Sequence, residues 1–186
     1  MAVRSPERVR GAVWRFGDDV STDLLAPGPY AVEPLDVRKL HTLESLDPRF
    51  ARDVRPGDVV VAGKNFGCGS SRETAPEGLL ALGVGCVVAR SFARLFLRNA
   101  VAIGLPVLPC AGASEAFEQG DQIEVELHTG RVQNVGTGVV LAGKPLPEEM
   151  LEILAAGGIL ALLRAQAERS GGPVGVDSEI ASPPGG

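Results

Sequence analysis

Apolar residues recur along the chain in short runs that glycine, proline and aspartate separate. Residues 9–16 alternate apolar and polar positions, which is typical of a strand. The runs VVVAG (59–63), GCVVAR (85–90) and LPVLP (105–109) are mostly apolar. They predict three further strands, of which the first two are buried.

Two helices are predicted between these apolar runs. One covers residues 74–82 and ends at Gly83, and the other covers 92–103, begins with Ser91 as its cap and ends at Gly104. A strand–helix–strand–helix–strand order favours parallel strands joined by right-handed crossovers. The pattern therefore predicts an α/β fold.

The C-terminal third of the chain predicts smaller elements. Residues 122–135 alternate around Thr129-Gly130, which indicates a β-hairpin. Residues 147–156 predict a helix, and 159–168 predict one more element.

The expected domain organisation has three parts. A flexible arm covers residues 1–8, the folded domain covers 9–163, and a disordered tail covers 164–186. Beyond Ser170 the tail has few apolar residues and many glycines and prolines, which do not form a packed core.

Composition excludes several functional classes. The formal net charge is −5, and the 186 residues include six Phe, one Trp and one Tyr, which argues against a basic or base-stacking nucleic-acid surface. Cys68, Cys86 and Cys110 are far apart, so neither a disulfide framework nor a metal site is expected in this chain. There is no apolar run of membrane-spanning length and no signal-peptide pattern, and we expect a cytoplasmic protein.

The segment GKNFGCGSSRETAPEG (63–78) has the chemistry of an anion site. It follows a strand and precedes a helix, where free backbone N–H groups attract negative charge. Gly67 and Gly69 allow close approach of backbone to a ligand, and Ser70 and Ser71 add hydroxyl donors. Arg72 adds a planar cation that suits a carboxylate or a phosphate.

The same residues also fit a purely structural interpretation. Ser70 with Glu73, and Thr74 with Glu77, have the spacing of a capping box. Pro76 sets the helix start near Thr74, which leaves Ser70 to Glu73 in the loop. Asp18, Asp19 and Asp23 are likewise expected to serve turns and caps.

The sequence resembles the small subunits of 3-isopropylmalate dehydratases and the swivel domain of the aconitase superfamily. The resemblance is carried by GKNFGCGSSRETAP together with VVARSFARLFLRNAVAIGLPVL, and by GAVWRFGDDVSTDLLAPGPYAVEP near the N-terminus. It covers residues 9–163. It implies a swivelling β/β/α domain with mostly parallel central strands, flanking helices and a β-hairpin.

The resemblance also implies an activity and roles for three residues. Members isomerise 2-isopropylmalate and 3-isopropylmalate by dehydration and rehydration, a step of leucine biosynthesis. By this resemblance Ser70 is the general base that removes the carbon-bound proton, Ser71 hydrogen-bonds the substrate, and Arg72 pairs with a substrate carboxylate. This chain itself is expected to carry no cofactor.

A separate partner follows from the same resemblance. A large subunit is expected to supply a [4Fe–4S] cluster whose open iron acts as a Lewis acid, in a heterodimer or heterotetramer. The isolated chain is therefore expected to be inactive.

The resemblance also implies that the loop after Tyr30 contacts the variable group of the substrate and so determines which substrate binds. Tyr30 itself is expected to support this loop. Relatives that accept an extra carboxylate resemble this loop but carry Arg at the position of Val32. Val32 can pack an alkyl group, which favours an apolar substrate by about 1–3 kcal/mol. Subunits of a 2,3-dimethylmalate, citramalate or homoaconitate dehydratase, a non-catalytic anion-binding module and a purely structural partner remain alternatives.

Overall fold

A seven-stranded mixed sheet forms the centre of the computed structural model, which describes residues 8–70, 72 and 74–169. The order across the sheet is β4-β3-β2-β1-β5-β6-β7, with β1 to β4 parallel and β5 to β7 antiparallel. The strands are β1 (Arg8–Arg15), β2 (Val59–Ala62), β3 (Cys86–Ala89), β4 (Val107–Pro109), β5 (Gln122–Glu126), β6 (Arg131–Asn134) and β7 (Val140–Ala142).

Helices connect and flank these strands. The described α-helices are α1 (Thr22–Leu25), α2 (Leu35–Arg38), α3 (Phe50–Asp53), α4 (Ala75–Ala81), α5 (Arg94–Ile103), α6 (Ala113–Ala116), α7 (Glu148–Ala156) and α8 (Ile159–Arg169). Single 3-10 turns lie at Gly28–Tyr30 and Lys39–His41. The helices α4 and α5 are the two predicted crossovers between parallel strands, so the predicted α/β fold is confirmed.

The first strand joins the two halves of the sheet. Residues Arg8 to Ala12 pair with β5, whereas Val13 to Arg15 pair with β2. The parallel half therefore continues into the predicted hairpin of β5 and β6, and β7 adds a third antiparallel strand that the sequence did not predict.

One predicted helix start is wrong, and two boundaries differ from expectation. Ser91 does not cap α5, whose N-cap is Ala93 with no side-chain hydrogen bond. Instead, the Ser91 hydroxyl accepts a hydrogen bond from the Asn65 backbone N–H at 2.9 Å. Arg8 belongs to β1, and α8 extends past residue 163 to Arg169. Residues 1–7 and 170–186 lie outside the described part of the chain.

The core lies on both faces of the parallel strands. Every residue of β2 and β3 is buried, as their apolar runs predict. Phe50 makes T-shaped ring contacts with Trp14 and Phe16 near β1. Among the described residues, no single helix is long and apolar enough to cross a membrane; α7 and α8 meet that test only jointly, across an 84° bend.

Candidate active site

The loop that follows β2 lies where the carboxyl ends of three parallel strands meet. The backbone N–H of Gly67 donates to the carbonyl of Val20, beyond β1, at 2.7 Å. On the other side, Phe66 donates to the carbonyl of Ser91, beyond β3, at 3.0 Å. This edge of an α/β sheet is the usual position of a ligand site.

Two aspartates secure the start of this loop. An Asp18 carboxylate oxygen accepts from the Lys64 backbone N–H at 2.8 Å, and an Asp19 carboxylate oxygen accepts from the Asn65 amide at 2.8 Å. Both contacts join segments 46 positions apart in the sequence, so they are long-range contacts rather than the local turn or cap predicted for these two aspartates.

Ser70 projects from the loop beside α1. Ser70 is exposed, and its Oγ lies 3.2 Å from Oγ1 of Thr22, a residue that is 2 % exposed. The backbone N–H of Thr22 also donates to the carbonyl of Cys68 at 2.8 Å. Thr22 thus holds the loop by its backbone and contacts Ser70 by its side chain.

Arg72 is held by the same helix. Its Nη1 donates to the carbonyl of Ala26 at 2.7 Å, and its Nη2 pairs with Oδ1 of Asp23 at 2.7 Å. The prediction that Asp23 serves a turn or cap is wrong, because the hydroxyl of Ser21 caps α1 and the carboxylate of Asp23 faces Arg72. These contacts hold the guanidinium at α1, the helix that Ser70 also contacts.

The two loop glycines are required by different neighbours. Gly67 has a φ of 79°, and an added Cβ would lie 2.2 Å from Cγ of Phe96. Gly69 has a φ of 104°, and an added Cβ would lie 3.2 Å from Oγ1 of Thr22. Gly67 is therefore needed for packing against α5, and Gly69 for the approach of Thr22.

The capping interpretation finds little support among the described residues. Thr74 is the N-cap of α4 but makes no side-chain cap hydrogen bond, and Glu77 pairs with Arg38. Ser70 lies outside the helix, as the position of Pro76 predicts. Ser71 and Glu73 lie outside the described residues.

The loop expected to choose the substrate is anchored by an aromatic pair. The ring of Tyr30 stacks on that of His41 with a centroid distance of 3.4 Å and an angle of 5°. His41 Nδ1 lies 2.6 Å from Oε2 of Glu44. Two residues beyond Tyr30, Val32 is 92 % exposed, so its side chain is available to an external contact.

The cysteines of this chain do not fit a metal cluster. Cys86 and Cys110 are buried at opposite ends of neighbouring strands, and Cys68 lies in the loop after β2. Burial raises the pKa of the Cys110 thiol to about 11 and raises the pKa of Cys86 as well, whereas metal ligation requires thiolates. Among residues 8–70, 72 and 74–169, no three His, Cys, Asp or Glu side chains form a group that could hold a metal ion.

The missed residues of the site, Thr22 and Asp23, lie in α1, the first helix after β1. The topological rule that carboxyl ends of neighbouring parallel strands share one edge could have placed them beside Ser70. Their residue types alone gave no such signal, because Thr and Asp are also common in turns.

The fold and this site define an α/β domain of the aconitase type. A family model for the aconitase C-terminal domain matches residues 32–112. A crystal structure of 3-isopropylmalate dehydratase from Methanocaldococcus jannaschii superposes with a TM-score of 0.83 at 35 % identity, covering 88 % of this chain and 97 % of that one.

Curated relatives define the family more narrowly. The 3-isopropylmalate dehydratase small subunit 1 of Methanopyrus kandleri is 52 % identical over 87 % of this chain and 96 % of its own length. The isopropylmalate/citramalate isomerase small subunit of Methanocaldococcus jannaschii is 48 % identical over 87 % of this chain and 97 % of its own. The chain belongs to the family of 3-isopropylmalate dehydratase small subunits.

Proposed function

We propose that this chain is the small subunit of a hydro-lyase that interconverts 2-isopropylmalate and 3-isopropylmalate in the cytoplasm, as a step of leucine biosynthesis. The observation that carries the proposal is the convergence of Ser70 and Arg72 on one helix, α1, at the carboxyl edge of the sheet. The names of the curated relatives support the same activity, and one of them names citramalate beside isopropylmalate.

Ser70 is the proposed general base. A serine hydroxyl is a weak base unless its alkoxide is stabilised. The Thr22 hydroxyl at 3.2 Å can donate to the Ser70 oxygen, and the guanidinium of Arg72 is held on the same helix. In a site closed by a partner, both would stabilise the Ser70 alkoxide, which becomes the neutral hydroxyl when it accepts the carbon-bound proton.

Arg72 is the proposed ligand of a substrate carboxylate. A guanidinium carries five N–H donors, and its contacts with Ala26 and Asp23 leave others for a second acceptor. These contacts fix the plane of the guanidinium before the substrate arrives, so the Arg72 side chain loses less conformational entropy on binding. Ser71 is proposed to hydrogen-bond the substrate beside it.

The partner large subunit is the proposed holder of the [4Fe–4S] cluster. The burial of Cys86 and Cys110 at opposite ends of neighbouring strands supports this placement, because a cluster needs several thiolates close together. The contribution of this chain is therefore the base, the carboxylate ligand and the wall against the alkyl group, in a heterodimer or heterotetramer.

Val32 is the proposed contact for the alkyl group. Its exposed side chain carries no charge, so it offers an extra carboxylate no partner and packs an isopropyl group instead. Replacing Val32 with Arg is expected to move the preference toward a tricarboxylic substrate such as homoaconitate.

Reconstitution with the large subunit tests the proposal. The complex should isomerise isopropylmalate, each chain alone should be inactive, and Ser70→Ala should abolish turnover while the complex still assembles on a sizing column. Turnover by the single chain, or full activity of Ser70→Ala, would refute the assignment. Parallel assays with citramalate, 2,3-dimethylmalate and homoaconitate determine the substrate range.

A further inference from the structure

Arg38 connects two parts of the candidate site that are far apart in sequence. Its Nε donates to the backbone carbonyl of Glu33 at 2.9 Å, immediately after Val32. Its Nη2 pairs with Oε2 of Glu77 at 2.8 Å, in the first turn of α4. One guanidinium therefore joins the loop of Val32 to the helix that follows the loop of Ser70 and Arg72.

Burial makes this connection stronger than a surface ion pair. The side chain of Arg38 is 15 % exposed and that of Glu77 is 33 % exposed, whereas the neighbouring pair of Lys39 with Asp36 has a carboxylate that is 91 % exposed. Exposed pairs contribute little, while charged hydrogen bonds shielded from water contribute more.

The loop has a second support on its other side. The Tyr30 ring lies flat on His41, which is held in turn by Glu44. Residues 28–33 are thus fixed at Tyr30 by stacking and at Glu33 by a hydrogen bond, and Val32 lies between these two points. An exposed apolar side chain gains selectivity when the backbone that carries it is fixed.

We propose that Arg38 is a positioning residue for substrate selectivity. It sets the distance between Val32, which contacts the alkyl group, and the segment that carries Ser70 and Arg72. This inference rests on the proposed function, because it takes Val32 as the alkyl contact. Arg38 itself touches neither substrate nor reacting atoms.

The proposal predicts for which substrate kcat/KM falls more when Arg38 is replaced. An isopropyl group reaches Val32, whereas the single methyl group of citramalate extends less far. In the reconstituted complex, Arg38→Met should raise KM for isopropylmalate about tenfold with a smaller change in kcat. The ratio of kcat/KM for isopropylmalate to that for citramalate should fall several-fold.

The control variant is Lys39→Met, on the next residue. It removes a cation whose ion-pair partner, Asp36, lies on the same short segment rather than on α4 or beside Val32. The substrate ratio should stay at the wild-type value. A purely structural role for Arg38 would lower the activity on both substrates in proportion to the folded fraction, without changing their ratio.

Exchanging the charges of Arg38 and Glu77 distinguishes the effect of their ion pair from the effect of the hydrogen bond to the Glu33 carbonyl. The double variant R38E/E77R restores a pair of opposite charges but leaves the Glu33 carbonyl without its donor, because a carboxylate cannot donate. The proposal predicts that its thermal stability recovers while the substrate ratio stays low. Recovery of the ratio together with stability would overturn the proposal.

Two further variants distinguish the possible failures. Arg38→Lys retains one donor group, so it should fold and give an intermediate ratio even if Arg38→Met proves unstable. Val32→Ala tests the alkyl contact on its own. If Val32→Ala changes the ratio and neither Arg38 variant does, the positioning role fails and the proposed function stands. If Val32→Ala has no effect, Val32 is not the alkyl contact and the positioning proposal fails with it.

Discussion

The hydroxyl oxygens of Ser70 and Thr22 lie 3.2 Å apart, although the two residues are separated by 48 positions in the sequence. Thr22 is buried and Ser70 is exposed, so the Thr22 hydroxyl lies on the protein side of the Ser70 oxygen, and either hydroxyl can be the donor. A buried hydroxyl that donates to an alkoxide stabilises it more than water does, because its dipole is already oriented.

Thr22→Val should therefore slow catalysis without removing the site. Valine has nearly the shape of threonine but lacks the donor, so kcat of the reconstituted complex should fall roughly 10-fold to 100-fold. Thr22→Ser retains the hydroxyl and should keep most of the activity. Steady-state kinetics of the two variants provide the test, and equal losses would show that the hydroxyl has no catalytic part.

Arg72→Lys should weaken substrate binding. A lysine cannot donate to the Ala26 carbonyl, pair with Asp23 and also present a planar face to a carboxylate. We expect kcat/KM for isopropylmalate to fall on the order of 10-fold to 100-fold, mainly through KM. The control is Arg52→Lys, which changes an exposed pair with Asp53 on α3 and should leave the kinetics unchanged. Unaltered binding in the Arg72 variant would exclude it as the carboxylate ligand.

Gly67→Ala should destabilise the fold by on the order of 3 kcal/mol, since it adds a clash with Phe96 to an unfavourable positive φ. Gly120→Ala has a comparable φ of 87° but no atom within 4 Å of the added Cβ, so its cost should be about 1 kcal/mol. Urea unfolding of both variants measures the difference. Similar losses would mean that backbone strain alone, and not the contact with Phe96, requires glycine at this position.

The three thiols should differ in reactivity. Cys68 is half-buried, whereas Cys86 and Cys110 are buried, so an aromatic disulfide reagent at neutral pH should modify Cys68 first and the other two only after unfolding. Mass spectrometry of the labelled peptides identifies the site. Early labelling of Cys110 would contradict the burial seen between β4 and α6.

The buried thiols also predict a stability change at high pH. The pKa of Cys110 is about 11 in the folded chain, above the 9.0 of an exposed thiol. The unfolded chain therefore loses this proton first, and the stability contributed by burying the neutral thiol declines as pH rises from about 9 toward 11. Unfolding of Cys110→Ala, compared with the wild type across this range, should show a weaker pH dependence. An unchanged slope would assign the effect to other groups.

Local sequence patterns predict the helices and strands well, because the interactions that form these elements join residues a few positions apart. The valine runs of β2 and β3 are buried as expected, and Gly104 ends α5 in the left-handed conformation that glycine adopts readily. The loop of Ser70 and Arg72 also follows β2 and precedes α4 as the sequence indicates. Short-range rules suffice wherever the partners are a few residues apart.

Long-range contacts decide the parts that the sequence did not predict. Ser91 has the residue type of a helix cap, yet its hydroxyl accepts from Asn65, 26 residues away. Asp23 has the residue type of a turn, yet it pairs with Arg72. In each case the polar side chain could have bonded to several partners. The fold brings the ends of distant strands to one edge of the sheet, and this determines which partner the side chain contacts.

The pairing of Arg72 with Asp23 implies that an incoming di-acid does not meet a bare cation. It would meet a guanidinium whose charge Asp23 already balances, and it would use the N–H donors that Ala26 and Asp23 leave free. This built-in carboxylate would disfavour capture of stray phosphate or sulfate by a small subunit that has not yet met its large one.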